Sequence, residues 1–311
     1  MNAVYSSRRM KRRYEVWFLR CGLAEGSGAW WFRYLLLNLG RQGCSADRAA
    51  LPVQVWATWF PRQGRPETFI QGHSAEALEL SARRQLPFYL RIAECGIEDG
   101  GCWGNLRLGS HSISWKLRFR SNFGAVLSDK GWIGFSRSPH SNAVFSGEIV
   151  FDGRKVVGEP LGIGVQGHNC GYRHRTYWRW MHAFFVDAEG ASSTLEALIY
   201  DMPFGLVFRN GVWWHGGKAT VFRQIEEKEV VNTADHLRWT LVATAADGSR
   251  VETIIEGCSP EVHHLPYLKT DCSATFPVAN ASLARAQARF GKGGHQTLET
   301  TNGAVLEMGG T

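Results

Sequence analysis

The sequence has little of what marks a helical or membrane-spanning protein. No apolar run is longer than Tyr34–Leu37, far short of the roughly 18 residues a membrane-spanning helix needs. Helical periodicity is confined to Ser74–Arg84 and Ser282–Phe290, where helices are expected. Seven cysteines, an odd count without a CxxC pair, read as reduced, mostly buried thiols in a cytoplasmic chain. No apolar core of a secretory leader follows the N-terminal charges, so no export signal is expected. There is no GxSxG elbow and no P-loop. Gly162-x-Gly164-x-x-Gly167 has dinucleotide spacing, but it runs into His168 and an aromatic strand instead of a helix N-terminus, which removes the Rossmann reading.

Charge of one sign is only slightly in excess. Lys plus Arg number 35 against 28 Asp plus Glu, a net +7. The excess gathers at Arg8, Arg9, Lys11, Arg12 and Arg13 and is otherwise scattered, so no continuous basic face for nucleic acid is expected. That run reads as a solvated start, with a contact to RNA or to an anionic membrane surface as the alternative.

What the chain has in quantity is aromatic side chains, 13 of them Trp among 311 residues, a length that allows two domains. Short aromatic or β-branched runs recur throughout, among them Trp30–Leu39, Val53–Phe60, Ser112–Phe119, Val144–Phe151, Tyr177–Val186 and His236–Ala243. Asp152-Gly153, Asn210-Gly211 and Asp247-Gly248 are hairpin-turn dipeptides between such runs. Many antiparallel strands in succession predict an all-β chain of closed or nearly closed barrels, because closure removes unpaired edges. Two glycine-led aromatic strands, at Trp30 and Tyr177, suggest a duplication, with units at 1–160 and 161–311. The glycine-rich residues after Phe290 read as a loosely held end.

The densest polar stretch is Gln166-Gly167-His168-Asn169-Cys170-Gly171-Tyr172-Arg173-His174, followed by Trp178, Trp180 and His182. Side chains alternate along a strand, so Trp178, Trp180 and His182 share one face. Two indoles and an imidazole on one face suit a pocket that is apolar in bulk with a few directed protons. The expectation is that this face lines the second barrel, completed by Trp213 or Trp214 and by Trp239. The chemistry-bearing candidates are His182, then Asp187 and His168, with Asp201, Glu94 and Glu148 as further carboxylates. Gln166, Asn169, Tyr172, Arg173, His174, Trp178, Trp180, Trp213 and Trp214 are the candidate binding residues. His168, His174 and His182 lie close in sequence, but alternation does not make them converge, so no metal site is expected.

The run Gln166-Gly167-His168-Asn169-x-Gly171-x-Arg173-His174, with Trp178, Trp180 and His182, resembles the hallmark of the lipocalin-like superfamily of carotenoid 1,2-hydratases, tocopherol cyclases and AttH-like proteins. Trp30-Trp31-Phe32-Arg33-Tyr34, Ile113-Ser114-Trp115-Lys116-Leu117, Gly147-Glu148-Ile149 and Asn280-Ala281-Ser282-Leu283-Ala284 extend the likeness. Cys170, where related sequences commonly have Trp, and Lys116, where they often have an acid, depart from the pattern. The resemblance implies two consecutive lipocalin-like barrels with a ligand site in or between them. It also implies a cofactor-independent hydratase, cyclase or isomerase acting on a hydrophobic, isoprenoid-like small molecule. A carrier of such a ligand and a structural module are the alternatives. The oligomeric state is not legible.

Overall fold

The computed structural model describes residues 2–6, 13–39, 51–82, 85–131, 133–175, 177–291 and 296–310. Period-two burial dominates the chain, as in His111–Arg120, where Ile113, Trp115, Leu117 and Phe119 point inward between solvated neighbours. The described residues accordingly form strands with no α-helix.

The first unit comprises β1 (Tyr14–Leu23), β2 (Gly28–Leu37), β3 (Val53–Pro61), β4 (Glu67–His73), β5 (Leu78–Leu80), β6 (Tyr89–Ile92), β7 (Cys95–Glu98), β8 (Gly101–Leu108), β9 (His111–Arg120), β10 (Ala125–Asp129), β11 (Gly134–Phe151) and β12 (Arg154–Gly171). They form one antiparallel sheet in the order β4-β3-β2-β1-β12-β11-β9-β8-β7-β6-β5, with β10 on β11. The sheet curls around a core that includes Trp17, Trp30, Phe32 and Trp115. The second unit holds β13 (Trp178–Val186), β14 (Ser192–Asp201), β15 (Val207–His215), β16 (Lys218–Asn232), β17 (His236–Ala245), β18 (Arg250–Cys258), β19 (His263–Leu268), β20 (Thr275–Gly291) and β21 (Gln296–Gly309). Pairing of β18 with β20 closes eight of these strands into a barrel, and β19 lies against β20. The two consecutive antiparallel units expected from the sequence are therefore present, the first an open half-barrel and the second closed.

Several local expectations are corrected. Ser74–Arg84 yields only a 3-10 turn at Ala75–Ala77 before β5, and Arg83 and Arg84 fall outside the described residues. Ser282–Phe290 lies inside β20, where Ala284, Ala286 and Ala288 point inward and Arg285, Gln287 and Arg289 outward. Pairing on both sides overrides the helix preference of Ala, Arg and Gln. Asp152-Gly153 and Asp247-Gly248 do turn hairpins, but Asn210-Gly211 is internal to β15, and Gly216-Gly217, both at positive φ, make that turn. The chain end is not loose: β21 pairs with β13 and β20 and buries Ala304–Met308, while Gly293 and Gly294 lie outside the described residues. The division read at residue 160 falls within β12, so the motif strand belongs to the first sheet, and the sheets change between Gly171 and Trp178.

Cys272 is disulfide-bonded, against the expectation of reduced thiols, whereas Cys21, Cys95, Cys102, Cys170 and Cys258 are free and Cys44 is outside the described residues. Of the basic run only Arg13 is described, and it is no solvated charge. It is buried, its Nε donates to Cys170 Sγ at 3.0 Å, and its guanidinium lies over Tyr172. Among the described residues no helix is long and apolar enough to cross a membrane.

Candidate functional site

The strand Trp178–Val186 is apolar on both faces, and the units divide them. Met181, Ala183 and Phe185 fill the interior of the closed barrel, with Trp213 and Trp239. Trp180 packs outside it, against Phe18, Trp31 and Val165 of the first unit. The expectation that Trp178, Trp180 and His182 line the barrel interior is thus corrected. They do share a face, but it looks toward the other sheet. The physical reason is occupancy: the small barrel is already filled by the inward side chains of its own strands, Trp213 and Trp239 among them, and the opposite face of β13 is covered by the first unit.

Between the two units lies a cavity of about 300 Å³. Its walls come from both: Tyr14, Phe18, Trp31, Arg33 and Asn169 on one side, Trp178, Trp180, Leu198, Tyr200, Tyr267 and Glu307 on the other. Tyr172, Arg173 and His174, from the link between the sheets, border it as well. Trp180 stands edge-on to Phe18 at 5.3 Å and to Trp31 at 6.1 Å. Trp178 lies along Tyr267 at 6.2 Å, seated over Gly309, where a Cβ would fall 2.2 Å from the indole. Gly167 likewise seats the Phe18 ring. The motif glycines serve here as seats for rings in a regular strand.

Glu307 carries the only carboxylate among the described residues lining the cavity. It accepts from Tyr267 Oη at 2.7 Å, Trp178 Nε1 at 3.1 Å and Asn280 Nδ2 at 3.3 Å. Burial raises the Tyr267 phenol well above its ordinary pKa, and the Glu307 hydrogen bond adds to this while Arg33 opposes it. Behind Trp180, Glu196 is fully enclosed and accepts from Ser138 Oγ at 2.8 Å, from Ser141 Oγ and from Trp180 Nε1. Desolvation lifts its carboxyl to about 7 against these stabilising donors.

The candidates read from sequence are distributed unevenly. Asn169, Tyr172, Arg173, His174, Trp178 and Trp180 meet at the cavity. His182 does not line it. Its Nε2 donates to the Ser141 carbonyl at 2.6 Å, and burial pushes its pKa down to about 3, so the ring is neutral. Asp187 sits in the turn after β13, accepting from the Glu189 and Ala191 amides, as a hairpin aspartate does. His168 points into the first unit, stacked on Trp17 at 4.6 Å and donating from Nε2 to Glu15 at 2.9 Å. Glu15 also accepts from the Tyr5 and Ser6 amides, and Gln166 meets Asn2, so His168 and Gln166 belong to a clamp on the segment 2–6. Trp213 faces the barrel interior, and Trp214 stacks on Phe123 at 5.7 Å, away from the cavity lining.

Sequence reading passed over Arg33, Glu196, Tyr267 and Glu307. Three of them carry one signal, a single charge inside an apolar strand: Arg33 within Trp30–Leu37, Glu196 within Leu195–Tyr200 and Glu307 within Ala304–Met308. Such a charge is costly to bury without a partner.

No family profile and no curated protein matches the chain in sequence. Solved structures do match in fold. CghA with Sch210972 superposes at a TM-score of 0.59 with 7% identity, over 95% of this chain and 87% of that one. Kievitone hydratase from Nectria haematococca gives 0.56 and 9%, over 99% and 93%. A protein assigned as an AttH from Nitrosomonas europaea gives 0.51 and 11%, over 96% and 92%. At these identities the shared property is the fold, an architecture of two consecutive antiparallel β units.

Proposed function

We propose that this chain is an enzyme that hydrates, cyclises or isomerises a hydrophobic, isoprenoid-like small molecule held between its two β units, without a cofactor. The observation that carries the reading is the cavity itself, an aromatic enclosure built from both units with the hydrogen-bonded pair Tyr267 and Glu307 at its wall. Enclosure between Trp31, Trp178 and Trp180 orients a flexible substrate and lowers the entropic part of a cyclisation barrier. Indole faces stabilise developing positive charge. In a hydration, the Tyr267 hydroxyl would give its proton to one carbon of the double bond and Glu307 would take the proton that the attacking water loses at the other, the Tyr267–Glu307 hydrogen bond then returning that proton to the phenolate. Two architectural neighbours support this direction, one named a hydratase and one holding a small molecule, Sch210972.

The alternative is a non-catalytic carrier, favoured by the placement of His182 and Asp187 away from the cavity. Mass spectrometry of small molecules retained on the purified protein supplies the compound, and incubation with it separates the readings. Product formation that falls at least about a hundredfold in Glu307→Gln, in line with loss of a general base, with binding retained, is the result expected. Full turnover in that variant would remove Glu307 from the chemistry, and no turnover of the retained compound would leave a carrier.

A further inference from the structure

We propose that the ligand of the cavity carries an anionic oxygen, a carboxylate or an acidic enolate, and that Arg33 is the residue that binds it. This rests on the cavity being the ligand site. Arg33 projects from β2 between the two units, opposite Phe18 on β1 and Trp56 on β3. It is 3% exposed, and its guanidinium makes no hydrogen bond and no ion pair among the described residues; Nη1 is buried without any partner. What holds it are rings. Its carbon lies 3.7 Å from the centre of Tyr267 and 4.7 Å from that of Trp56. Contact with ring faces leaves the in-plane N–H groups unspent, and a planar fork of such donors matches a carboxylate.

The contrast with Arg20 sharpens the point. Arg20 is equally buried on the same sheet, yet the fold satisfies it. Its donors meet the Ser282 carbonyl at 3.0 and 2.6 Å and the Asn302 carbonyl at 2.6 Å, which ties the units together. The fold can therefore saturate an arginine whose work is structural. Arg33 is left unsaturated where the cavity reaches it.

The surroundings agree in sign. Among the described lining residues, Arg33, Lys130, Arg173 and Arg175 stand against Glu307 alone, and Glu307 is hydrogen-bonded to Tyr267, Trp178 and Asn280, not to any of these cations. His174 Nδ1 and Asn169 Oδ1, both at the cavity, are also buried without partners and would take neutral polar groups of the same ligand. The substrate class is then an amphiphilic acid, its apolar body against Phe18, Trp31 and Trp180 and its acidic head on Arg33.

Two probes with the same arylamine skeleton test this: 1-anilinonaphthalene-8-sulfonate, which is anionic, and N-phenyl-1-naphthylamine, which is neutral. Both are followed by energy transfer from tryptophan. The wild-type protein is expected to prefer the anion by at least about tenfold, the scale of one charge-assisted pair. Arg33→Met should bring the ratio near unity while leaving the neutral probe within about threefold, and Arg33→Lys should keep part of the preference. Near-ultraviolet circular dichroism checks that each variant is folded. Leu198→Trp, which fills the cavity, should weaken both probes. If it does so and Arg33→Met leaves the ratio unchanged, or if the wild-type shows no preference, the Arg33 assignment is overturned and the cavity stands. A preference lost in Arg175→Gln but kept in Arg33→Met moves the anion to the rim and also overturns it. If neither probe binds, or Leu198→Trp weakens neither, the cavity reading fails and this proposal with it.

Discussion

Glu196→Gln should flatten the pH dependence of folding stability. Glu196 is 1% exposed, and its carboxyl titrates near 7 in the folded chain against an ordinary 4.5. Between those two values the folded state holds a proton that the unfolded state has released, so stability falls as pH rises through this window. At about 1.4 kcal/mol per pH unit, the loss is on the order of 3 kcal/mol: the protonated carboxyl's contribution is present in full below 4.5 and is gone above about 7. His174 and His182, both pushed down to about 3 by burial, act in the opposite sense, adding stability as pH rises toward their unfolded value of about 6.5. The wild-type curve is therefore a sum, and the variant isolates the carboxyl. Glutamine keeps the shape and an acceptor for Ser138 and Ser141 without a titrating proton. Urea denaturation at pH 5 and pH 8 should show Glu196→Gln gaining about 3 kcal/mol on the wild type over that interval. Parallel pH profiles for the two proteins would refute the argument that burial governs this carboxyl.

Two buried arginines should respond in opposite ways. Arg33→Met removes a desolvated cation that has no counter-ion among the described residues and should leave the thermal midpoint unchanged or higher, whereas Arg20→Met strands the Ser282 and Asn302 carbonyls at about 1–3 kcal/mol each and should lower it. A drop of similar size in both would show that packing of the stems outweighs the charge. Trp180→Ala should cost about 3–5 kcal/mol in chemical denaturation, because the indole is 5% exposed against Phe18 and Trp31; a cost below about 1 kcal/mol would mean the units are not packed through it. Asp187→Asn should change neither ligand binding nor turnover, given its place in a turn, and loss of either would bring that turn into the site.

The β class, the Asp152-Gly153 and Asp247-Gly248 hairpins and the shared face of Trp178, Trp180 and His182 were all legible in one dimension. Each follows from local rules: period-two side chains, and turn residues that tolerate positive φ. Alternation assigns residues to two faces, however, without saying which is inside. In Trp180–Phe185 both faces are buried and mostly apolar, so the outward placement of Trp180 and the inward placement of Met181 and Phe185 came from the packing of one unit on the other. The same limit hid the site. Glu307 and Tyr267 are distant from the glycine-rich motif in sequence and reach the cavity because β19, β20 and β21 are neighbours beside β13. His168 and Gln166 alternate with Asn169 along β12 and face the other way, onto Glu15 and Asn2, which is why one motif supplies both a wall of the cavity and a clamp on the segment 2–6. Arg33 was readable as a charge in an apolar strand. That it has no hydrogen-bond or ion-pair partner among the described residues depends on where their other donors and acceptors are spent, and this is a property of the folded chain.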